Sequence, residues 1–337
     1  MSILPTHVPA KAQAALKLVR TKAMPREEWL AIRKQGIGSS DAAAAVGLHP
    51  YKSQLELWLE KTGRDGNLPK ADSQDEASPL YWGTILEPIV ATHYSQKTGY
   101  RVRRINAVLQ HHELPWMLSN IDREVIGSSE VQILECKTAG IHGAKLWKEG
   151  VPEYVQLQVH HQLAVTGKYA ADVAVLIGGQ QLEIHRIQRD DALIDRLIGL
   201  EQAFWHYVES DTPPPADGSE SAEMALRCLY PADSGATLDF SQNPLLSKTF
   251  TDLVSVRQRL VELQKLEAQY KQSIQQVMGE ASRAKFIAGE VSWKKSKDSV
   301  SLDVTRLLQE QPDLLQRYSM SKAGSRRFVV IDSPQSP

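Results

Sequence analysis

The sequence is poor in cysteine and has almost no net charge. Cys136 and Cys228 are the only cysteines in 337 residues, which excludes a disulfide scaffold, a four-cysteine iron–sulfur site and a cysteine-rich zinc site. The 39 Lys and Arg residues nearly balance the 40 Asp and Glu residues, giving a formal net charge of −1. Proteins that bind nucleic acid usually carry a basic surplus, so the total charge argues against such a partner.

Long apolar runs are also absent. The longest, such as 42–46 and 173–177, fall far short of the roughly 18 residues that a membrane span needs. Residues 1–14 contain no continuous apolar segment of the kind found in secretory signals. We therefore expect a soluble, cytoplasmic protein with no membrane partner. The hydrophobic fraction of 42% is ample for a buried core and excludes a mostly disordered chain.

The charges are unevenly distributed along the chain. Basic residues dominate 11–34, and smaller basic clusters occur at 294–297 and 322–327, whereas 209–223 contains acidic residues and no basic one. Solvated surfaces are the common explanation for such runs. Basic ends around an acidic middle nevertheless remove the objection to a phosphate-bearing partner.

Prolines and the order of predicted elements divide the chain. Three consecutive prolines at 213–215 open a polar, Pro- and Gly-bearing segment that continues to about residue 244. This pattern predicts a core domain over 1–210, a Pro-rich linker over 211–244 and a C-terminal module over 245–337. Within the core, predicted helices precede β-rich runs and then further helices, an order that indicates an α/β or α+β fold.

Periodicity and capping signals predict the individual elements. The core helices are predicted at 26–34, 41–46, 54–62, 85–97, 153–166 and 190–209. The core strands are predicted at 101–109, 117–122, 131–136, 173–177 and 182–187. For the C-terminal module we predict a long helix at 243–278, a hairpin at 285–294, a short helix at 303–309 and a final strand at 326–331. The long helix has heptad spacing, for which packing within the chain is more common than an oligomeric coiled coil.

Asp122, Glu135 and Lys137 form the most informative set of residues. Side chains alternate along a strand, so Glu135 and Lys137 are expected on one face and Cys136 on the other. Charged groups at the end of an apolar strand are costly unless they pair or bind a cation, and an aspartate ending the preceding strand would lie beside Glu135. Two carboxylates that bind Mg²⁺ next to a lysine suit phosphodiester hydrolysis, although a plain Glu–Lys pair at a sheet edge explains the same pattern.

A basic, glycine-rich segment precedes the helix predicted at 41–46. It contains Arg33, two glycines and the hydroxyls of Ser39 and Ser40. Backbone N–H groups at such a turn bind phosphate, and an arginine adds a bidentate donor. A capped helix start, with Ser40 or Asp41 as the cap, is the alternative. Glu87 is expected in the first turn of the helix predicted at 85–97, where the helix dipole favours a carboxylate.

These motifs resemble those of the YqaJ-type viral recombinases, relatives of the phage lambda exonuclease. The resemblance covers about residues 24–200, and its motifs are Gly-Ile-Gly-Ser-Ser-Asp at 36–41, Pro-Tyr-Lys-Ser at 50–53, Leu-Glu-Leu-Trp at 55–58, the segment 83–87, Asn-Ile-Asp-Arg at 120–123, Glu-Cys-Lys-Thr at 135–138, and the segments 154–158 and 165–167.

The resemblance implies a restriction-endonuclease-like PD-(D/E)xK core, with a central mixed sheet flanked by helices. It implies digestion of linear double-stranded DNA from 5′ ends with Mg²⁺, or Mn²⁺ in its place, which leaves 3′ single strands for an annealing protein. Asp122 and Glu135 would bind the metal and Lys137 would act on the attacking water. Glu87 and Gln158 would support the metal or that water.

The resemblance further implies that Arg33, Ser39 and Ser40 bind the 5′-terminal phosphate, helped by Asn120. The lambda enzyme has Ser-Pro-Asp-Gly where this chain has Asn-Ile-Asp-Arg at 120–123, so the aspartate is kept and an amide replaces a hydroxyl that contacts phosphate. By analogy with that enzyme we expect a homo-oligomer, a trimeric ring, acting in the bacterial host of a phage or prophage.

Two other functions remain open. An endonuclease of the same fold would cut covalently closed DNA, which an exonuclease leaves intact. A non-catalytic DNA-binding or assembly protein would keep the fold and use the long helix as a scaffold, but the complete set of Asp122, Glu135 and Lys137 argues against it. A RecB-like nuclease with an iron–sulfur cluster is excluded because that cluster needs four cysteines.

Overall fold

The computed structural model describes residues 14–69, 75–321 and 324–331. Residues 1–13, which belong to the segment searched for a secretory signal, and the basic residue Lys322 lie outside these ranges. The chain divides into two compact units, Met1–Tyr230 and Pro231–Pro337. Within the described ranges no helix is long and apolar enough to cross a membrane.

The first unit combines sheets with flanking helices, which confirms the mixed α/β class. Its helices are α1 (Arg26–Arg33), α2 (Ala42–Ala45), α3 (Gln54–Lys61), α4 (Pro79–Thr98), α5 (Glu153–Thr166), α6 (Asp191–Glu209) and α7 (Glu220–Leu229). Its strands are β1 (Leu16–Arg20), β2 (Ile37–Gly38), β3 (Arg101–Arg103), β4 (Ala107–Gln110), β5 (Met117–Ser119), β6 (Arg123–Ile126), β7 (Ile133–Ala139), β8 (Ala170–Ile177) and β9 (Gln181–Gln188).

The larger sheet has the strand order β3-β6-β7-β8-β9. Strands β7 and β8 are parallel and α5 connects them, whereas β6 and β7 are antiparallel. In the β6–β7 register Arg123 pairs with Leu134. Continued by one residue, this register places Asp122 opposite Glu135. The prediction that Asp122 ends a strand was wrong, because β5 ends at Ser119 and Asp122 lies just before β6.

Alternation along β7 separates two cores. Ile133 packs with the apolar side of α5, including Val159, whereas Leu134 packs with Tyr94 and other residues of α4. Each such buried aliphatic side chain is worth about 1.5–3 kcal/mol relative to an exposed one. The apolar half of β7 thus fixes the strand between two helices, and its polar half, beginning at Glu135, continues from that fixed position.

The smaller sheet, in the order β1-β4-β5-β2, ties the glycine-rich segment to β5. Strands β2 and β5 are parallel, with Gly38 opposite Leu118, and the Ile37 N–H donates to the Trp116 carbonyl at 2.7 Å. A Cβ atom on Gly36 would lie 2.4 Å from the same carbonyl oxygen, so only glycine fits there. This close approach holds the segment before α2 directly against the strand that leads to Asp122.

Helix α4 starts earlier than we predicted. It begins at Pro79, after Ser78, whose side chain accepts a hydrogen bond from the Leu80 N–H. A serine cap followed by a proline in the first turn is a strong signal for a helix start. Pro88, which lies inside the helix, resembles a first-turn proline and led to the later start that we predicted. Glu87 therefore lies in the interior of the helix and not in its first turn, so the helix dipole does not explain its position.

A helix occupies part of the segment that the sequence suggested as a linker. Ser219 caps α7, Ala225 is buried in the same apolar cluster as Leu55, and the Ser221 hydroxyl accepts from the Ser53 N–H at 2.7 Å. The buried side chains are small alanines, which leave only a weak apolar pattern in the sequence. The predicted domain boundaries themselves stay a prediction.

The second unit contains the long helix that heptad spacing predicts. Its elements are α8 (Pro244–Met278), β10 (Arg283–Phe286), β11 (Gly289–Ser292), α9 (Val304–Glu310) and α10 (Asp313–Tyr318). The final strand predicted at 326–331 was wrong, since these residues form no strand. Its apolar side chains, such as Phe328 and Val329, are exposed, and β-propensity without a pairing strand does not make a strand.

Candidate active site

A cleft of about 400 Å³ lies at the end of β7, beside α4. The residues that line it include Gly83, Glu87, Asp122, Glu135 and Lys137. Four of these five are predicted site residues, and they come from α4, from the residue before β6 and from β7. The fold therefore brings together groups that are up to 50 residues apart in the sequence.

Glu135 is fixed from two sides. Its side chain is 4% exposed, and its Oε1 accepts hydrogen bonds from Gln158 Nε2 at 2.6 Å and Lys137 Nζ at 2.7 Å. Its Oε2 accepts from Gln162 Nε2 at 2.7 Å. The two glutamines lie four residues apart on α5 and so share one face of that helix. The carboxylate is thereby held in one orientation at the cleft.

Asp122 carries a strongly perturbed carboxyl group. Burial raises the pKa of Asp122 to about 8, and the neighbouring charge of Glu135 adds to this rise, while Lys137 and a hydrogen bond from the Cys136 N–H at 2.8 Å oppose it. Burial is the main cause of this rise, and the negative charge of Glu135 is the second. A divalent cation beside Asp122 would favour its ionised form.

The donor set suits Mg²⁺. This ion is usually bound by one or two carboxylates and completes its octahedral shell with water and substrate phosphate oxygens. Asp122 and Glu135 supply those two carboxylates. Within the described ranges no cluster of three or more Asp, Glu, His or Cys side chains is arranged to hold a metal ion. A Mg²⁺ ion bound by two carboxylates keeps coordination positions for water and substrate oxygens.

Lys137 remains a cation in this environment. Burial disfavours its charge, but the carboxylates of Glu135 and Asp122 outweigh burial and raise the pKa of Lys137 above its ordinary value. Its Nζ donates to Gln158 Oε1 at 2.9 Å in addition to pairing with Glu135. The side chain thus acts as a hydrogen-bond donor and positive charge in the cleft, and not as a proton acceptor.

Glu87 is held by two arginines. Its Oε1 accepts from Arg123 Nη1 at 2.5 Å and from Arg104 Nη2 at 3.0 Å. The Arg123 side chain is only 8% exposed, and its Nη1 also donates to the Asp122 carbonyl oxygen at 2.7 Å. The predicted supporting carboxylate is therefore already engaged by cations in this structure.

A second cluster surrounds Arg33. The Arg33 guanidinium lies 4.8 Å from the centre of the Trp29 ring and donates through Nη2 to Ser40 Oγ at 2.7 Å and to Asp41 Oδ1 at 3.1 Å. Lys61, whose side chain is 4% exposed, donates to Asp41 Oδ2 at 2.7 Å. Two cations and one anion leave this cluster with a surplus positive charge.

Asp41 is the anion that anchors the cluster. Burial would raise the pKa of Asp41, but the charges of Lys61, Arg33 and Lys52 outweigh burial and hold this pKa well below its ordinary value. The sequence offered Asp41 as a helix cap, and its Oδ2 does accept from the Gly38 N–H at 3.2 Å. Its main partners, however, are the two cations.

The other predicted phosphate ligands differ in accessibility. Ser40 is exposed beside Arg33, whereas Ser39 is buried and its hydroxyl donates to Ser119 Oγ at 2.9 Å. Asn120 donates through Nδ2 to the Ala107 carbonyl at 3.2 Å. Arg33 and Ser40 thus remain accessible to a ligand, while Ser39 and Asn120 brace the backbone between this cluster and Asp122.

Several members of these clusters were not among the predicted site residues. Gln162 is one of the polar residues on the helix predicted at 153–166, but the sequence does not decide whether it faces solvent or a cleft. Lys61, Arg123 and Ser119 gave no local signal, since each acts through a partner that only the folded chain brings near.

Comparisons with known proteins match the part of the chain that contains both clusters. The YqaJ-like viral recombinase domain matches residues 28–169. The YqaJ protein of Bacillus subtilis (strain 168) is 36% identical over 322 residues, which cover 93% of this chain and 96% of that protein. The chain belongs to the YqaJ family. Both clusters described above, with Arg33 in one and Lys137 in the other, lie within the part that matches the viral recombinase domain.

Two solved structures are similar to part of this YqaJ-family chain. The alkaline exonuclease LHK-Exo from Laribacter hongkongensis has 24% identity and a TM-score of 0.45, covering 55% of this chain and 93% of its own. A phage related exonuclease from Haemophilus somnus 129PT has 12% identity and a TM-score of 0.38, covering 52% and 94%.

Proposed function

We propose that this YqaJ-family protein is a metal-dependent nuclease that digests linear double-stranded DNA from its 5′ ends and leaves 3′ single strands. The observation that carries the proposal is the shared cleft of Asp122, Glu135 and Lys137, in which two carboxylates lie beside a lysine that contacts one of them. Membership of a family of viral recombinases supports DNA as the substrate.

The chain's own residues would divide the work of hydrolysis. Mg²⁺, or Mn²⁺, bound by Asp122 and Glu135 would polarise the scissile phosphate and lower the pKa of a bound water. Gln158 and Gln162 keep Glu135 in position, so little reorganisation is needed when substrate enters. Lys137, as a cation, would orient the attacking oxygen and stabilise negative charge on the phosphate.

The Arg33 cluster would recognise the end of the DNA. A terminal 5′-phosphate carries more negative charge than an internal phosphodiester, and a cluster with surplus positive charge favours it. Ser119, bonded to Ser39, is only three residues from Asp122, which limits that stretch of chain to about 11 Å even when fully extended. An end bound near Ser40 would therefore place a nearby phosphodiester at the cleft.

The proposal is tested first on the form of the substrate. With Mg²⁺ we expect linear duplex DNA to be degraded and a covalently closed circle of the same sequence to stay intact, because digestion needs an end. Electrophoresis of the two substrates, with EDTA as the metal-free control, measures this. Cutting of the closed circle would favour the endonuclease alternative, and no loss of either substrate would favour a non-catalytic DNA-binding protein.

The role of Arg33 is tested on the chemistry of the end. Wild-type protein is expected to digest 5′-phosphorylated duplex about tenfold faster than 5′-hydroxyl duplex, and Arg33→Gln to lose this preference, since one charge-assisted contact is worth roughly 1.5–3 kcal/mol. Arg26→Gln, at the exposed start of α1, is the matched control and should keep the preference. Equal rates on both ends with wild-type protein would disprove end recognition by this cluster.

Fold details and partners complete the proposal. We propose that the larger sheet with α4 and α5 is a PD-(D/E)xK core, because it places Asp122, Glu135 and Lys137 in the order of that motif.

A trimeric ring and a single-strand annealing protein as partner follow from analogy with the lambda enzyme. Ring closure would let a nearly neutral chain retain DNA without a large basic surface. Sedimentation of the intact protein would measure the subunit number.

A further inference from the structure

The hairpin of β10 and β11, in the second unit, carries two aromatic rings on one of its faces. Its strands are antiparallel, with Ala284 opposite Val291, and the ladder continues to a bond from the Trp293 N–H to the Ser282 carbonyl at 3.0 Å. Because side chains alternate along a strand and paired residues share a face, Phe286, Val291 and Trp293 lie on the same face. The two rings stand at its opposite ends, about 13 Å apart along the strands.

Both rings are open to solvent. Phe286 is 50% exposed and Trp293 is 46% exposed, whereas Ala284 and Val291, which lie between them, are partly covered. Exposed aromatic rings are costly in water, and a group of them on one face marks a binding surface more often than a single exposed residue does. The small side chains in the middle leave a shallow platform with a ring at each end.

Basic side chains surround this platform. Residues 282–299 contain five basic and two acidic residues, although the whole chain has a net charge of −1. Arg283 and Lys285 lie on the opposite face of the hairpin, and three lysines in 294–297 follow Trp293 directly. All five basic side chains are exposed. The charge of this segment therefore favours a polyanion as its ligand.

The combination of exposed rings and lysines distinguishes between forms of nucleic acid. In a duplex the bases stack on one another, so a protein reaches mainly the phosphates and the edges of the bases. In a single strand each base offers a free π-face, on which an aromatic side chain stacks while basic residues follow the backbone. Lysines alone would serve for a duplex, but two exposed rings on one face suit unpaired bases.

We propose that the β10–β11 hairpin and the basic segment 294–297 bind single-stranded DNA, with bases stacked on Trp293 and Phe286 and phosphates against the lysines. This site belongs to a different unit of the chain from the proposed nuclease cleft, and binding there needs no catalysis. It would hold the 3′ single strand that digestion leaves. The choice of DNA rather than RNA rests on the proposed function.

Stacking is tested by fluorescence anisotropy of the full-length protein with a labelled thymidine 30-mer that has a 5′-hydroxyl end. EDTA is present so that no digestion occurs. Trp293→Ala should bind about tenfold more weakly, because an aromatic side chain stacked on one base makes a contribution of that size. Trp293→Phe keeps a ring and should stay within about threefold of wild type. Phe240→Ala removes an exposed ring elsewhere in the second unit and should change nothing. Unchanged binding by Trp293→Ala would overturn the proposal.

The lysines are tested through the salt dependence of the same binding. Each phosphate contact on a single strand contributes about 0.7 to the slope of log affinity against log salt concentration. Lys294→Gln combined with Lys295→Gln should therefore weaken binding and make that slope shallower by about 1.4. Lys271→Gln, which removes an exposed lysine of α8, is the matched control and should leave the slope unchanged. An unchanged slope in the double variant would overturn the role of the basic segment.

Two other nucleic acids identify the ligand. A blunt 30-base-pair duplex should bind Trp293→Ala within about twofold of wild type, since its bases are not free to stack. An equal loss on duplex and single strand would reject stacking. A uridine 30-mer of RNA that binds wild-type protein tenfold more tightly than the thymidine 30-mer would reject DNA as the ligand.

A second variant and a separate assay keep the result decisive. If circular dichroism shows that Trp293→Ala does not fold, Phe286→Ala at the other end of the platform replaces it; about threefold weaker binding is expected, and no change would overturn the proposal. Digestion of linear duplex with Mg²⁺ measures the proposed nuclease independently. Digestion without single-strand binding rejects only the role of the hairpin, whereas binding without digestion rejects only the nuclease.

Discussion

Lys137→Ala is expected to slow digestion of linear duplex DNA by about a thousandfold, since removal of a single donor to the charge that develops in a transition state costs roughly 10²–10³ in rate. Lys137 is the cation within the cleft that directly contacts Glu135. Its two neighbouring carboxylates keep it charged, so it is a donor throughout the neutral pH range. Alanine leaves no group at that place to orient the attacking oxygen.

The rate is measured as release of acid-soluble nucleotide from end-labelled DNA at saturating Mg²⁺. Lys148→Ala removes an exposed lysine from the same unit and should digest at the wild-type rate. Glu135 keeps its bonds from Gln158 and Gln162 in the Lys137 variant, so thermal unfolding should change little. A Lys137→Ala protein that digests as fast as wild type would show that the catalytic cleft has been assigned wrongly.

Asp41→Ala is expected to lower the free energy of unfolding by about 3–5 kcal/mol, the range found when one partner of a buried ion pair is removed. Lys61 is almost completely buried and would lose its only acidic hydrogen-bond partner described in the structure. Urea denaturation measures the change. Asp252→Ala, which breaks an exposed helical ion pair with Lys248, should cost less than about 1 kcal/mol and is the control.

The same variant should depend on pH in a defined direction. The folded pKa of Asp41 is depressed below its ordinary value of 3.8, so its stabilising effect is complete well above that pH and is lost as the pH falls below it. The difference between wild type and Asp41→Ala should therefore shrink in acid. Asp41→Ala combined with Lys61→Met should recover part of the stability, because no buried charge is left unpaired. A double variant no more stable than Asp41→Ala would contradict this account.

The part of the site that follows strand geometry was predictable from the sequence. Glu135 and Lys137 face α5 while Cys136 packs toward α4, as alternation along one strand requires. Helix α5 was predicted at its observed bounds because its apolar spacing and final glycine are unambiguous. The chemical roles of these residues stay predictions until the variants are measured.

What the sequence did not reveal depends on contacts between distant segments. Asp41 and Lys61 are 20 residues apart, and Arg123 and Glu87 are 36 residues apart, so neither pair leaves a local pattern. The start of α4 was misplaced because Pro88, inside the helix, resembled a first-turn proline. The two ion pairs have no local signal in the sequence, and the start of α4 has two conflicting ones. The folded structure was needed to locate both.

The close contact at Gly36 restricts how this protein can diverge. Any side chain there would collide with the Trp116 carbonyl, so the path of the loop that carries Ser40 cannot be altered by substitution at residue 36. A lineage under selection for a different DNA end would have to change the accessible groups at the rim, such as Arg33 or Ser40, and keep the backbone beneath them. Homologues with altered end preference should therefore retain glycine at this position, and the diversity should lie in the side chains around it.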